Sequence, residues 1–487
     1  MTKLTLAADF PGVSESEWLV QAQTTLKADN IDQLITKTRD GISIQPIYET
    51  PDQAFPNLSS PKPANTAPWK IMQRVDIPDI AAANQQILDD LLNGATGICV
   101  VLPGAVTAGS FGVPATTKQD FKRLMKDVEL DLISLRLDAG WRGRQVASAL
   151  LEIYQERNLD LTRCDLSFCL DPIGGFALTG NSADESTIAE RMAGFLKQSQ
   201  SAGHRGIVFS ADGRIYHEAG ASAAQELGFA LAAIIAQLRL LEQGGAELAN
   251  IWPQLSLILS ANADQFLTIA KLRAARLVWQ QLQEAMDVTP TRLQLDVETS
   301  LAMMSKNDPN VNMLRTTTAI FAAGVGGADS ISALPFSSAL GVPDGFARRI
   351  ARNAHIVLQE ESSIGAVGDA AAGSGYVETV TGQIAQEAWK VMQEVETAGG
   401  MISALRENTV QTLVGESFSK ATKTIQSGDK TIVGVNKFTA AEEAPVRTLD
   451  YPPTPTAPSG KRGEIACKRL QPKPLNVLCE NSAGASS

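Results

Sequence analysis

A short apolar strand followed by a long amphipathic helix recurs along residues 96–400, and this repetition constrains the fold more than any other feature of the chain. Its clearest instance is Gly206-Ile-Val-Phe-Ser210, a turn over residues 211–220, and a helix opening at Ser222. A continuous apolar run is what a strand buried on both faces of a parallel sheet requires. Ser222 and Gln225 fit a capping box. Beyond them Leu227, Leu231, Ile234, Leu238 and Leu241 step by three and four along one stripe. The other strands are read at 96–102, 131–137, 164–170, 255–260, 292–297, 329–334 and 364–367, each followed by a periodic helix. Eight such units without an antiparallel interruption predict a closed (β/α)8 TIM barrel. An open doubly wound sheet has the same periodicity, because closure leaves no trace in it.

The barrel is assigned to residues 79–400. Residues 1–78 form an arm: a helix begun by the capping box Ser14-Glu-Ser-Glu17, an edge strand at 41–48, and a polar, proline-rich stretch over 51–68. A helix and a short strand at 431–435 occupy 401–438, and a proline-rich linker with a small polar tail fills 439–487. No further folded domain is expected after that linker.

Charge narrows the partners. A net charge of −11 with no basic stripe argues against nucleic acid and against an anionic membrane surface. No signal peptide opens the chain, and no apolar run reads as long enough to cross a bilayer. The five cysteines have no metal-ligand spacing, and those in strands read as small core residues. A soluble, cytoplasmic protein with no metal site is expected.

In a barrel, chemistry belongs at the carboxyl ends of the strands. Polar residues collect there: Arg136 and Asp138, Asp171, Ser210 and Asp212, Asn262 and Asp264, Glu298 and Ser300, and Asp369. A ligand-binding mouth and ordinary helix capping produce the same pattern. Of the three histidines only His217, between Tyr216 and Glu218, falls at the mouth; it suits a general acid or a structural hydrogen bond. His204 lies at the amino end of a strand and His355 on a helix. Gly324-Val-Gly-Gly327 has its helix before it and its strand after it, the reverse of a dinucleotide loop, so a helix stop with a tight turn is predicted.

Several stretches resemble methylmalonyl-CoA mutases. They are Tyr216-His-Glu-Ala-Gly-Ala-Ser222 with Gln225-Glu-Leu227, Asp264-Gln-Phe-Leu-Thr-Ile-Ala-Lys-Leu-Arg273, Asn312-Met-Leu-Arg-Thr-Thr317, Gly326-Gly-Ala-Asp-Ser-Ile331, Asp369-Ala-Ala-Ala-Gly-Ser-Gly-Tyr-Val-Glu378 and Ile432-Val-Gly-Val-Asn-Lys437. They run in family order over residues 14–438. The resemblance implies a (β/α)8 barrel carrying acyl-CoA along its axis, in an isomerase that interconverts methylmalonyl-CoA and succinyl-CoA with adenosylcobalamin.

The departures from the family pattern point to a division of labour. The D-x-H-x-x-G motif of the cobalamin domain is absent. The Tyr-x-x-Arg-Pro-Trp segment has become Thr66-Ala-Pro-Trp69, the turn around His217 is shorter, and a His-Cys-Gln-Thr segment is replaced by Val297-Glu-Thr-Ser300. These features resemble the small (beta) subunit of the heterodimeric bacterial enzyme. That resemblance implies a non-catalytic chain that binds no cofactor, with adenosylcobalamin carried by the large-subunit partner and the arm contacting it. The alternative is the catalytic acyl-CoA-binding chain of a split mutase that borrows a separate cobalamin subunit. Tyr216 and His217 would then be catalytic, and Trp69, Arg136, Ser210, Glu298, Ser300 and Arg315 would contact substrate. A barrel axis plugged by bulky side chains would favour the small-subunit reading.

Overall fold

Eight parallel strands close on themselves in the computed structural model, which describes residues 12–27, 30–51, 69–248, 251–439, 445–454 and 464–474. The proline-rich stretch at 52–68, most of the linker, the tail with Cys479, and the Thr66–Pro68 part of the altered motif lie outside the described residues. The strands are β1 (Lys70–Val75), β2 (Gly97–Val101), β3 (Ser134–Asp138), β4 (Asp165–Ser167), β5 (Phe209–Asp212), β6 (Leu255–Ala261), β7 (Gln294–Thr299) and β8 (Ser330–Ser332). Each pairs in parallel with its neighbour, and β8 pairs with β1 through Ser330–Lys70 and Ile331–Ile71. The ring is completed between β4 and β5 by a Leu170–Phe209 bridge, with Leu170 N–H donating to the Val208 carbonyl at 2.9 Å and Ser210 N–H to that of Leu170 at 3.1 Å. This is a closed barrel, not an open sheet.

One unit was assigned out of place. The segment expected as the eighth strand is a 3₁₀ turn, Ile364–Ala366, and the missing strand is β1, inside the stretch assigned to the arm. Lys70-Ile-Met-Gln-Arg-Val75 carries charge at both ends, yet Gln73 and Arg74 are buried. The inside of this barrel is polar, so its first strand lacks the apolar run of β2 and β6 and, unlike β3 and β7, does not alternate cleanly between apolar and polar residues.

The helices surround the barrel as the periodicity predicts. Ser222 caps α8 (Ala223–Gln243) in a full capping box, and α9 (Gln265–Ala285), α10 (Val311–Val325), α11 (Gly345–Ile356) and α12 (Gly375–Thr397) follow β6, β7, β8 and the 3₁₀ turn. Contrary to the sequence reading, α8 is long and apolar enough to cross a membrane, with 21 residues and mean hydropathy 1.4; it is 83% buried against α9, α12 and β5. Its apolarity reflects a helix enclosed on every side. Two short helices, Pro172–Thr179 and Arg214–Glu218, sit on the mouth after β4 and β5.

Past the barrel, Asn408 in the left-handed region (φ 63°) splits the expected helix in two, Met401–Arg406 and α14, Thr409–Gln426. The strand expected at 431–435 is a turn closed by a Val433–Lys437 bridge. Residues 464–474 return as a strap over the mouth. Ile465 and Ala466 pair with Ser182 and Asn181, Leu470 N–H donates to the Ala177 carbonyl at 2.9 Å, and Lys473 N–H to that of Glu218 at 2.7 Å. In the arm, helix Glu15–Leu26 has its capping box but no buried residue, and the expected edge strand is reduced to Ser43–Ile44 paired with Thr36–Lys37.

Candidate functional site

The carboxyl ends of the strands hold a closed charge network. Glu298, at the end of β7, accepts from Arg214 Nη1 at 2.8 Å through Oε1 and from Arg74 Nη1 at 3.0 Å through Oε2. Thr107, in the loop after β2, donates to Glu298 Oε1 at 2.6 Å. Arg214 grips Asp212 with Nε at 2.9 Å and Nη2 at 2.7 Å, and Nη2 lies 2.9 Å from Asp138 Oδ2. Arg74 Nε reaches Asp76 at 2.8 Å, whose other oxygen accepts from Arg348 Nη2 at 2.7 Å. The side chains of Arg74, Arg214 and Glu298 are 2%, 2% and 0% exposed.

Burial alone would raise the Glu298 carboxyl; the Arg214 and Arg74 guanidinium groups beside it reverse that and hold it below the usual carboxylate range. One layer deeper, Arg136 Nη1 lies 3.6 Å from Asp296 and 3.4 Å from Ser330 Oγ, while Ser210 bonds Ser256 across β5 and β6. Serines at 134, 210, 256, 260, 330 and 332 are buried on the barrel strands. Barrels of this class ordinarily fill the interior with branched apolar side chains. The small hydroxyl side chains of this one leave a lumen that arginines cross.

A second cluster lies beside the axis. His217 Nε2 and Ser300 Oγ are 2.9 Å apart, and His217 Nδ1 is 3.1 Å from Glu226 Oε2. Glu226 is paired with Lys271 and accepts from Ser260 N–H at 2.6 Å. Burial would raise this carboxyl, but the Lys271 ammonium and His217 hold it down at about 2. Glu218 accepts from the Leu301 and Ala302 N–H groups at 3.0 and 2.7 Å, so the turn after β7 is bolted to the turn after β5. His217, Glu218, Glu226, Ser260, Lys271 and Ser300 are each at least nine-tenths buried. Ser300→Ala removes one hydrogen bond from this cluster and should cost about 1 kcal/mol, read from urea unfolding.

The other candidates are scattered. Tyr216 is fully buried against Phe229, with ring centroids 5.3 Å apart. Arg315 donates to Asn312 Oδ1 at 2.8 Å and to the Val433 carbonyl at 2.6 Å, bracing the turn past α14. Trp69 precedes β1 at the opposite end of the barrel, where its Nε1 donates to His355 Nδ1 at 3.0 Å. The structure thus brings together His217 and Ser300, and gives Glu298 partners that sequence reasoning missed: Arg74, Arg214 and Thr107. Arg214, two residues after Asp212, was the legible signal.

Adenosylcobalamin finds no histidine ligand here. His204, His217 and His355 are 0%, 6% and 1% exposed, bound to the Leu166 carbonyl, to Ser300 and Glu226, and to Trp69. None is presented to a cobalt ion at the mouth. Among the described residues no group of three or more His, Cys, Asp and Glu side chains could hold a metal.

A closed (β/α)8 barrel with a polar lumen and its charged groups at the strand ends defines the class of protein. The sequence pattern of methylmalonyl-CoA mutase matches residues 54–459. The methylmalonyl-CoA mutase small subunit of Streptomyces virginiae is 37% identical over 478 residues, covering 94% of this chain and 75% of that protein. That of Propionibacterium freudenreichii subsp. shermanii is 31% identical, covering 94% and 73%. The methylmalonyl-CoA mutase of Escherichia coli K12 is 26% identical, covering 90% and 66%. This chain belongs to the methylmalonyl-CoA mutase family of isomerases.

Proposed function

We propose that the chain is the small, non-catalytic subunit of an adenosylcobalamin-dependent methylmalonyl-CoA mutase, a cytoplasmic protein that stabilises a large subunit carrying the cofactor and the active site. The observation that supports this most is the filled axis. Arg74, Glu298 and Arg214 meet across the line along which the acyl-CoA of this family would run. Admitting that tail means parting buried ion pairs, and a buried charge left without its partner costs about 3–5 kcal/mol.

Three further features agree. No histidine is offered to cobalt, and in this reaction the cofactor supplies the radical chemistry while the protein orients substrate and excludes water. The arm helix Glu15–Leu26 has no buried residue, so its half-exposed Trp18 and Leu19 are available to a partner. The four described cysteines are free thiols, in keeping with a reducing compartment.

The test is mutase activity with adenosylcobalamin, first alone and then with a cobalamin-binding large chain. The expected result is no succinyl-CoA from this chain alone, a stable one-to-one complex with the large chain, and activity that follows the large chain. Activity that needs only a separate cobalamin-domain protein, and falls when His217 is replaced, would make this barrel the catalytic one.

A further inference from the structure

Both terminal segments of the chain fasten the turn that follows β5. In the arm, strands Thr36–Lys37 and Ser43–Ile44 form a hairpin. Its tip is closed by Gly41 N–H donating to the Thr38 carbonyl at 3.0 Å, with Gly41 at φ 81°. Ile42 is buried in the main core, so the hairpin is seated on the barrel. Arg39 donates through Nη1 to the Gly220 carbonyl at 3.1 Å, and Asp40 Oδ1 accepts from Ser222 Oγ and from Ala224 N–H at 3.2 Å. A carboxylate there meets the free N–H groups and the positive dipole end of α8. Lys473 of the strap holds the same turn through the Glu218 carbonyl.

The stretch so held, 217–226, carries His217, Glu218 and Glu226. Ser222 is the N-cap of α8, and Glu226 lies one turn into that helix. Three backbone amides depend on these side chains: Ser260 N–H on Glu226, and Leu301 and Ala302 N–H on Glu218. Gly220, at φ 114°, faces Phe418 of α14, where an added Cβ would stand 2.6 Å from the Phe418 side chain. So α14 backs this stretch while the arm tip grips it at Gly220, Ser222 and Ala224.

Asp40 makes this grip with one oxygen. Its Oδ2 is buried and has no hydrogen-bond partner among the described residues. Burial pushes the carboxyl up, against the Ser222 bond and the Arg39 charge. A half-satisfied buried carboxylate works against the docked position, which leaves the tip poised for release. Upstream on the same arm, helix Glu15–Leu26 buries no residue. We propose that the arm tip is a clamp on the His217 cluster, and that a large chain seating the arm helix tightens it, so that partner binding is felt inside the barrel mouth. The second half rests on the small-subunit reading. Holding the arm helix removes freedom that docking of the tip must otherwise give up, and the coupling is reciprocal, so the clamp in turn favours the partner.

Hydrogen exchange of the whole chain, read at the Ser260, Leu301 and Ala302 amides, tests the clamp. Asp40→Ala should speed their exchange by about 10-fold or more, while Cys99 and Val100 of β2, across the barrel from β6, keep the wild-type rate. Asp40→Asn still offers Ser222 and Ala224 an acceptor and should stay within about 3-fold of wild type. No change at the three amides in Asp40→Ala, or an equal change at β2, would overturn the clamp. With the large chain bound, the same amides of wild type should slow, and Asp40→Ala should weaken that binding by about 10-fold. Unchanged or faster exchange in the complex, or unchanged affinity of Asp40→Ala, would overturn the tightening. A large chain that does not bind wild type at all would overturn the small-subunit reading alone, and the exchange rates of the isolated chain would still decide the clamp.

Discussion

Glu298→Ala should destabilise the chain by about 3–5 kcal/mol, because it leaves two arginines facing each other in the sealed mouth. Arg74 and Arg214 both spend an Nη1 hydrogen bond on this carboxylate. Arg214 would keep Asp212 and Asp138, and Arg74 would keep Asp76, so the fold should survive with a lower urea midpoint and an unchanged slope. Replacing Arg74 and Glu298 together by apolar residues should cost less than Glu298→Ala alone, since Arg74 is no longer left facing Arg214, while Arg214 keeps Asp212 and Asp138 and Asp76 keeps Arg348. The pH dependence has a definite sign. The arginines hold the Glu298 carboxyl below its usual value of 4.5, so its stabilisation is complete above that pH and is lost as pH falls through the lower folded value. Wild type should therefore lose stability on acidification below about pH 4.5 more steeply than Glu298→Gln. A loss under about 1 kcal/mol for Glu298→Ala would be the behaviour of a solvated surface pair. It would mean that water, and with it a ligand, reaches the axis.

This network also explains what the sequence hid. Seven strands were legible because Ile98-Cys-Val-Val101 or Leu255-Ser-Leu-Ile-Leu259 are apolar in the way a doubly covered strand must be. β1 was not, because Lys70, Gln73 and Arg74 leave it only Ile71-Met72 and a lone Val75 as apolar residues, and Arg74 reads as surface until the other side of the lumen supplies a carboxylate. Closure was invisible for the same reason, being a contact between β8 and β1, some 260 residues apart. At the site, Asp138, Asp212 and Glu298 stood out as polar residues at strand ends, but which guanidinium groups they hold depends on the ring. His217 and Ser300 were each candidates; that they touch across 83 positions follows only from the loops after β5 and β7 meeting over the end of β6, the strand between them. The glycines at 324–327 read correctly as a helix end: α10 is capped at Gly326, and Gly327 takes φ 82°. Gly324 has a second reason that no local pattern carries, for it is where the Trp69 ring rests.

Trp69→Ala should cost about 3–5 kcal/mol, the range for emptying a buried aromatic site. The side chain is 1% exposed, and its carbonyl accepts from Gln359 Nε2 at 2.9 Å while its indole donates to His355. A Cβ on Gly324 would stand 2.4 Å from the indole ring. Gly324→Ala should therefore destabilise wild type but be tolerated, or even help, beside Trp69→Ala, a coupling that a double-mutant cycle reads directly. His355 adds a pH signature. Burial pushes its imidazole down to about 3, so the folded chain keeps it neutral while the unfolded chain protonates it near 6.5. Stability should fall as pH drops from about 6.5 toward 3, and His355→Gln, which can still accept from the indole, should flatten that limb. These effects belong to the barrel floor, far from the charged mouth. Lost stability with unchanged turnover per assembled complex would be the mark of a packing residue. An altered KM for acyl-CoA at intact stability would instead return Trp69 to the substrate path, and with it the reading of this barrel as a catalytic one.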